Sequence, residues 1–306
     1  MGMSQFYGPR DDAQSEATIR AAIEMGVTLL DTADVYGGGH NETLVGRAIR
    51  GQRHRVFVAT KFGARNDGEG FRIDGRPPYV REACERSLER LGVDCIDLLY
   101  LHRLDRNVPV EETVGAMAGL VRGGKVRHLG LSEVGPETLE RACRVHPIAA
   151  LQNEYSIWSR DIEGATLNAC RRLGVAVVCF SPLGRGFLAG AVRAADALSE
   201  DDRRRVFPRF QGENFSRNLA ALEALDGIAH ARGCTLGQLS LAWLLSRGND
   251  IIPIPGTHNP ARLRENVGAA DIRLDATEIA AIDRVCETGA FAGARYQPSD
   301  MALVAP

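Results

Sequence analysis

Four side chains stand at intervals that suit acid–base work at a shared centre: Asp31, Tyr36, Lys61 and His102. Asp31 ends the short apolar run Val27–Leu30, Lys61 ends the run Arg55-Val-Phe-Val-Ala-Thr, and His102 ends the run Asp97-Leu-Leu-Tyr-Leu. Lys61 follows Asp31 by 30 residues and His102 follows Lys61 by 41, about the length of one strand-plus-helix unit in a barrel of ~250 residues with eight such units. Tyr36 sits five residues past Asp31, beside three consecutive glycines that permit a tight turn. A phenol with an ordinary pKa near ~10 is a weak acid at neutral pH and needs a neighbouring cation. Lys61 could supply it, Asp31 could hold Lys61 by ion pairing, and His102 could orient a carbonyl oxygen beside the tyrosine. Such a set protonates an oxygen as a hydride reaches the carbonyl carbon, and no part of it requires a metal. Singly, each residue has a plainer explanation as a solvated cap, a surface charge or a packing aromatic. Four at three successive strand ends are a different matter, because the carboxyl ends of barrel strands are where catalytic groups collect.

The elements that must position these groups alternate along the chain. Helical patterns run over 11–25, 42–49 (with Asn41 as N-cap), 79–91, 109–121, 136–145, 161–173, 217–232 and 235–247, with two more beginning at Pro260 and Ala276. Between them lie seven β-runs at 27–30, 56–60, 97–101, 126–131, 148–152, 175–181 and 250–254. Strand–helix repetition predicts a parallel sheet with helices outside it, an α/β fold of the (β/α)8 TIM-barrel type, short by one strand. No linker or compositional break divides residues 1–306, so a single domain is expected. The stretch Gly63–Pro78 reads as an exposed loop. Gly184–Phe215 is polar and aperiodic and reads as a lid or cofactor-covering loop, and an irregular tail follows Thr288. Asp34 is expected to cap or solvate its loop. The run Arg203-Arg-Arg is expected on a solvated face. Trp158 is placed evenly between pocket lining and packing, and Trp243 in the core.

The bulk properties agree with an ordinary globular protein: 44% hydrophobic, 25% charged and a formal net charge of −2. That balance gives no electrostatic reason to expect nucleic acid or a membrane as partner. No apolar run reaches the ~20 residues of a transmembrane helix. Seven scattered cysteines without a C-x-x-C pair suit thiols in a reducing cytoplasm, not a zinc site or disulfide framework. Gly184-Arg-Gly186-Phe-Leu-Ala189 matches G-x-G-x-x-A, but no second strand ending in an acid follows, so it is read as a decoy.

Several longer stretches carry a resemblance over essentially the whole chain. They are Leu30-Asp31-Thr-Ala-Asp-Val-Tyr36-Gly, Ala59-Thr-Lys61-Phe-Gly, Leu99-Tyr-Leu-His102-Arg, Gly124-Lys-Val-Arg-His-Leu-Gly130-Leu-Ser132, Leu151-Gln152-Asn-Glu-Tyr155-Ser, Phe180-Ser181-Pro-Leu183-Gly184-Arg-Gly and Ile254-Pro-Gly256-Thr257. In this order the chain resembles an aldo-keto reductase, nearest the bacterial and plant branch that also resembles potassium-channel β subunits. The resemblance implies an NADPH-dependent reduction of aldehydes or ketones in which the pro-R hydride is transferred. Tyr36 would be the proton donor, Lys61 the cation that makes it a better acid, Asp31 the partner of Lys61 and His102 the substrate orienter. Ser132 and Gln152 match positions that bind the nicotinamide carboxamide, and Phe180 the ring stacked on nicotinamide, where relatives usually carry Tyr or Trp. Ser181, Leu183 and Gly184 match the pyrophosphate loop, with Arg185 as a candidate contact. The segment from Gly256 to Asn266 matches the adenosine-end motif, in which Thr257 and Arg262 would hold the 2′-phosphate and Glu265 and Asn266 the adenine. A guanidinium at Arg262 favours NADP(H), while His258 stands where relatives often carry Lys, so the choice between NADPH and NADH stays open.

The resemblance also implies a short N-terminal hairpin and a first strand ahead of Met1-Gly-Met3-Ser4. An upstream start is favoured over a gap filled by the tail or a partner, and over a degenerate relative. Rival readings are a cofactor-sensing regulatory subunit with little turnover and an inactive incomplete barrel. Substrate, direction and oligomeric state are left open.

Overall fold

The computed structural model describes residues 3–4, 10–66, 70–194, 198–200, 202–287 and 290–304. In chain order the elements are α1 (Asp12–Glu24), β1 (Leu29–Asp31), α2 (His40–Ile49), β2 (Phe57–Phe62), β3 (Ala64–Asn66), β4 (Phe71–Ile73), α3 (Pro77–Leu91) and β5 (Ile96–Leu101). Then come α4 (Val110–Arg122), β6 (Val126–Ser132), α5 (Pro136–Val145), β7 (Ile148–Glu154), α6 (Ala165–Leu173) and β8 (Ala176–Phe180). The last are α7 (Gly212–Arg232), α8 (Leu236–Leu245), β9 (Ile251–Pro253), α9 (Pro260–Gly268), α10 (Ala276–Val285) and α11 (Pro298–Met301).

Seven strands form one all-parallel, curled sheet in the order β1-β2-β5-β6-β7-β8-β9, as the alternation predicts. Because every pair is parallel, all the strand carboxyl ends lie along one rim. The first strand that the resemblance implies would lie ahead of Met1, and residues 1–2 and 5–9 that adjoin it lie outside the described residues.

Strand side chains alternate between two faces, and the two faces bury different things. One parity (Val58, Phe62, Leu99, Leu101, Leu129, Leu131, Leu151, Val177 and Cys179) joins the large apolar core beneath the helices. The other packs a smaller cluster inside the curl, of Ala59, Leu98, Tyr100, Ala150 and Val178, against Leu29, Phe57 and Ile254. Continuing that inner parity to the rim gives Asp31, Lys61, His102, Ser132, Gln152 and Phe180. The register thus sets a ring of functional groups upon a small apolar floor.

Some local expectations change. Gly39, not Asn41, is the N-cap of α2, with φ +91° and no side-chain cap bond. Asn41 is instead turned inward, where it accepts from Thr32 Oγ1 (2.8 Å) and donates to Ser4 Oγ (2.8 Å). Gly63–Pro78 is not all loop: it holds the antiparallel hairpin β3–β4 and the start of α3. The aperiodic stretch after Gly184 contains 3-10 turns over Gly184–Ala189, Arg203–Val206 and Pro208–Phe210 before α7 begins. There Phe187, Phe207 and Phe210 are buried, which explains why an Arg-rich sequence folds back onto the molecule. The arginine run is only partly a solvated face, since Arg204 binds Asp202 and the carbonyl of Arg185 (3.0 Å). Trp158 packs, buried against Phe187, Phe210 and Phe291. Trp243 is fully buried and donates to Asp283 (3.1 Å).

Candidate active site

Asp31, Lys61 and His102 come from adjacent strand ends, and the turn after β1 brings Tyr36 over them. That turn is made by Gly37, Gly38 and Gly39, all left-handed (φ +60°, +62° and +91°), a conformation L-residues rarely hold. It is tied down by a chain of polar contacts from Thr32 through Asn41 to Ser4, and on through His40 to Asp12.

Lys61 is buried and pairs with Asp31 Oδ1, and its Nζ also donates to the carbonyl of Thr32 (2.7 Å). Gln152 Nε2 occupies the second oxygen of Asp31 (2.8 Å). Burial works against charge on Lys61, but Asp31 and Tyr36 outweigh it and hold its pKa above the ordinary ammonium value. Lys61 Nζ lies 5.1 Å from the Tyr36 ring centroid and interacts with its hydroxyl. His102 meets the same ring edge-on at 5.8 Å. Desolvation first, then the positive charges of Arg103 and Lys61, push His102 well below the usual imidazole range, so it is a neutral hydrogen-bonding group here. Its Nδ1 is buried and meets no partner among the described residues. The four predicted residues are therefore gathered at one point.

The predicted cofactor residues follow the rim. Ser132 closes β6 and its hydroxyl accepts from Arg103 (3.2 Å). Gln152 is spoken for on its amide nitrogen by Asp31. Phe180 ends β8, half-buried. Ser181, Gly184 and Arg185 all hold positive φ in a tight turn (+49°, +54° and +58°), in which Gly184 N–H donates to Ser181 O (2.9 Å) and Gly186 N–H to Leu183 O (2.9 Å). Further round, Gly256 and Thr257 follow β9. Thr257 Oγ1 accepts from Asn259 N–H (3.0 Å), and Asn259 caps α9 through the N–H groups of Ala261 and Arg262. Arg262 is exposed in the first turn of α9. Glu265 is partly engaged, accepting from Thr235 Oγ1 (2.6 Å), beside the half-buried Asn266.

Other groups at the rim were given no part in the site from the sequence. Asp34 is not a solvated cap: burial, then the charge of Glu42, raise its carboxyl to about 7, and Oδ1 meets no partner among the described residues. Glu133, fully buried at φ +54°, is held by Arg295 (3.0 and 3.2 Å). Glu154 accepts from Arg209 (3.3 Å) and from Ser159 (2.7 Å). Tyr296 is stacked under Arg185, whose guanidinium lies 5.2 Å from its ring. The one sequence signal for these was position. Glu133 and Glu154 each lie next to or two residues past an assigned rim residue.

A model of the aldo/keto reductase family matches residues 1–287, and the chain belongs to that family. It is 42% identical over 305 residues, covering 97% of this chain and 90% of the relative, to the Schizosaccharomyces pombe protein named aldo-keto reductase yakc, NADP(+). Among solved structures, it is similar to a glycerol dehydrogenase of Gluconobacter oxydans, with TM-score 0.86, 32% identity, and 92% and 88% of the two chains covered. It is also similar to an aldo/keto reductase of Klebsiella pneumoniae crystallised with NADP and acetate, with TM-score 0.70, 30% identity, and 94% and 89% covered. Among the described residues no helix is long and apolar enough to cross a membrane.

Proposed function

We propose that this chain uses NADPH to reduce an aldehyde or ketone to the alcohol, with Tyr36 as proton donor. The observation that carries the reading is the convergence of Lys61, held charged by Asp31 in a buried setting, upon the Tyr36 ring and a neutral His102. The rim is suited to a dinucleotide. The turn from Ser181 to Gly186 presents backbone in left-handed conformations, where Gly184 has no room for a Cβ (2.7 Å from the Trp158 ring). The first turn of α9 sets Arg262 where a phosphate gains from both guanidinium and helix N-terminus. Ser132, Gln152 and Phe180 would hold the nicotinamide end. Ser181, Leu183, Gly184 and Arg185 would hold the pyrophosphate, and Gly256, Thr257, Arg262, Glu265 and Asn266 the adenosine end.

NADPH, when bound, supplies the hydride. The protein's part is positioning and proton delivery. His102 keeps its hydrogen-bonding capacity without charge and orients the carbonyl oxygen toward Tyr36. The phenol gives its proton to that oxygen, and the fixed charge of Lys61 stabilises the phenolate left behind. Asp31 in turn keeps Lys61 in place.

The test is NADPH binding by fluorescence quenching, followed by NADPH oxidation with an aromatic aldehyde. Replacing Tyr36→Phe should lower kcat by about 10²–10⁴, the range for losing a general acid, while NADPH binding is kept. Binding with no oxidation by the wild type would instead identify a redox-sensing subunit, and no binding would overturn both readings.

A further inference from the structure

We propose that Arg103 is a substrate-specificity residue that takes a carboxylate on the carbonyl compound, so that the preferred substrates are oxo-acids. The proposal rests on the reductase reading above and deepens it.

Arg103 follows His102 directly, so its backbone lies about 3.8 Å from that of the substrate orienter. Its Nη1 is fixed twice, donating to the carbonyl of His102 (2.8 Å) and to Ser132 Oγ (3.2 Å). A guanidinium has five N–H donors. Among the described residues the Nε–H and the Nη2 hydrogens have no protein acceptor, and no carboxylate pairs with Arg103. Nε and Nη2 form the side edge of the guanidinium, whose two parallel donors match the two oxygens of one carboxylate. Arg103 lies near enough to both His102 and Tyr296 for its charge to act on them.

The acids nearby are already engaged. Glu133 is bound by Arg295 on both oxygens, Glu154 by Arg209 and Ser159 on Oε1 with Oε2 3.8 Å from Arg185, and Asp31 by Lys61 and Gln152. Half-buried and anchored through one nitrogen, Arg103 presents its remaining edge with little freedom left to lose on binding an anion.

The experiment compares matched substrates: 4-carboxybenzaldehyde with its methyl ester, and succinic semialdehyde with its methyl ester. The readout is the acid-to-ester ratio of kcat/KM, which a merely structural change would leave alone. Wild type should favour the acid in at least one pair. Arg103→Gln should lower that ratio about 10- to 100-fold, the range for one charge-assisted hydrogen-bonded pair, and Arg103→Lys should restore part of it. An unchanged ratio overturns the proposal, as does a parallel loss on acid and ester with weakened NADPH binding, which would assign Arg103 to the cofactor through Ser132. A second measurement does not depend on turnover: benzoate and benzamide binding followed by tryptophan fluorescence. Benzoate binding that weakens in Arg103→Gln, with benzamide indifferent, supports the anion site. Equal benzoate binding overturns it. Absence of turnover with every aldehyde would defeat the reductase reading alone, because the benzoate titration still decides Arg103.

Discussion

At the scale of single residues, the site sets titratable groups a few residues apart in opposite states. Lys61 keeps its charge because Asp31 and Tyr36 outweigh its burial. At Asp34, three residues past Asp31, burial and the charge of Glu42 outweigh the opposing charges of Arg90 and Arg86 and bring its carboxyl to about 7 from an ordinary 3.8. The sign of its pH effect follows. The folded protein binds this proton more tightly than the unfolded chain, so the stability it contributes is complete below about pH 4. That stability is lost as pH rises through 7. Asp34→Asn keeps an acceptor oxygen for the Val35 N–H and removes the charge. The variant should therefore gain about 1–3 kcal/mol over wild type at pH 8, the cost of a poorly satisfied buried polar group. At pH 5.5, where the wild-type carboxyl is protonated, the gain should shrink. Urea midpoints at the two pH values check this, and an equal gain at both would contradict the assignment.

At the scale of elements, the turn from Ser181 to Gly190 joins the end of β8 to the aromatic layer of Trp158, Phe187 and Phe210. Its shape depends on Gly184, where φ is +54° and a Cβ would stand 2.7 Å from the indole of Trp158. Gly184→Ala must then displace either the turn or the indole. The expected cost is about 1–3 kcal/mol of stability, as for other overpacked sites. NADPH affinity should fall with it, since the turn is the proposed pyrophosphate cradle, and thermal melts with and without NADPH measure both. Unaltered affinity in a destabilised variant would remove this turn from the cofactor site.

Strand ends were the legible part of this architecture. A run such as Val-Phe-Val-Ala-Thr-Lys61 marks the strand end to within a residue, since β2 runs on to Phe62, and period-two alternation then fixes which side chains face inward. Local chemistry was less legible. Asn41 looked like a helix cap because it is the right residue type, but Gly39 already turns the chain, which frees Asn41 to bridge Thr32 and Ser4. Asp34 looked solvated for the same reason. What decided its state was Glu42 and the burial supplied by other elements, neither of which is visible in its own loop.

At the scale of the whole molecule, the least legible feature is how the C-terminal segment is fastened to the rim. Glu133 and Arg295 are 162 residues apart and nothing in the composition of either stretch pairs them, yet they meet with little solvent access. Around this pair the C-terminal segment is held by Asn218, which donates to Ala292 O (3.0 Å) and accepts from Ala292 N–H (2.7 Å). Arg209 donates to Gly293 O (3.2 Å), and Arg203 pairs with Asp300 (3.1 Å). The exposed Arg203–Asp300 pair should matter little, about 0–1 kcal/mol. Glu133 is different, because its carboxylate also accepts from the Glu154 N–H (2.8 Å) and is fully buried. Arg295→Ala leaves that charge buried without its counter-ion, at an expected cost of about 3–5 kcal/mol. Glu133→Gln in the same chain removes the stranded charge while keeping an acceptor for Glu154, and should recover part of the loss. A double-mutant cycle by urea unfolding measures the coupling. Full additivity of the two substitutions would show that the segment is held by its backbone contacts to Asn218 and Arg209 and not by the buried pair.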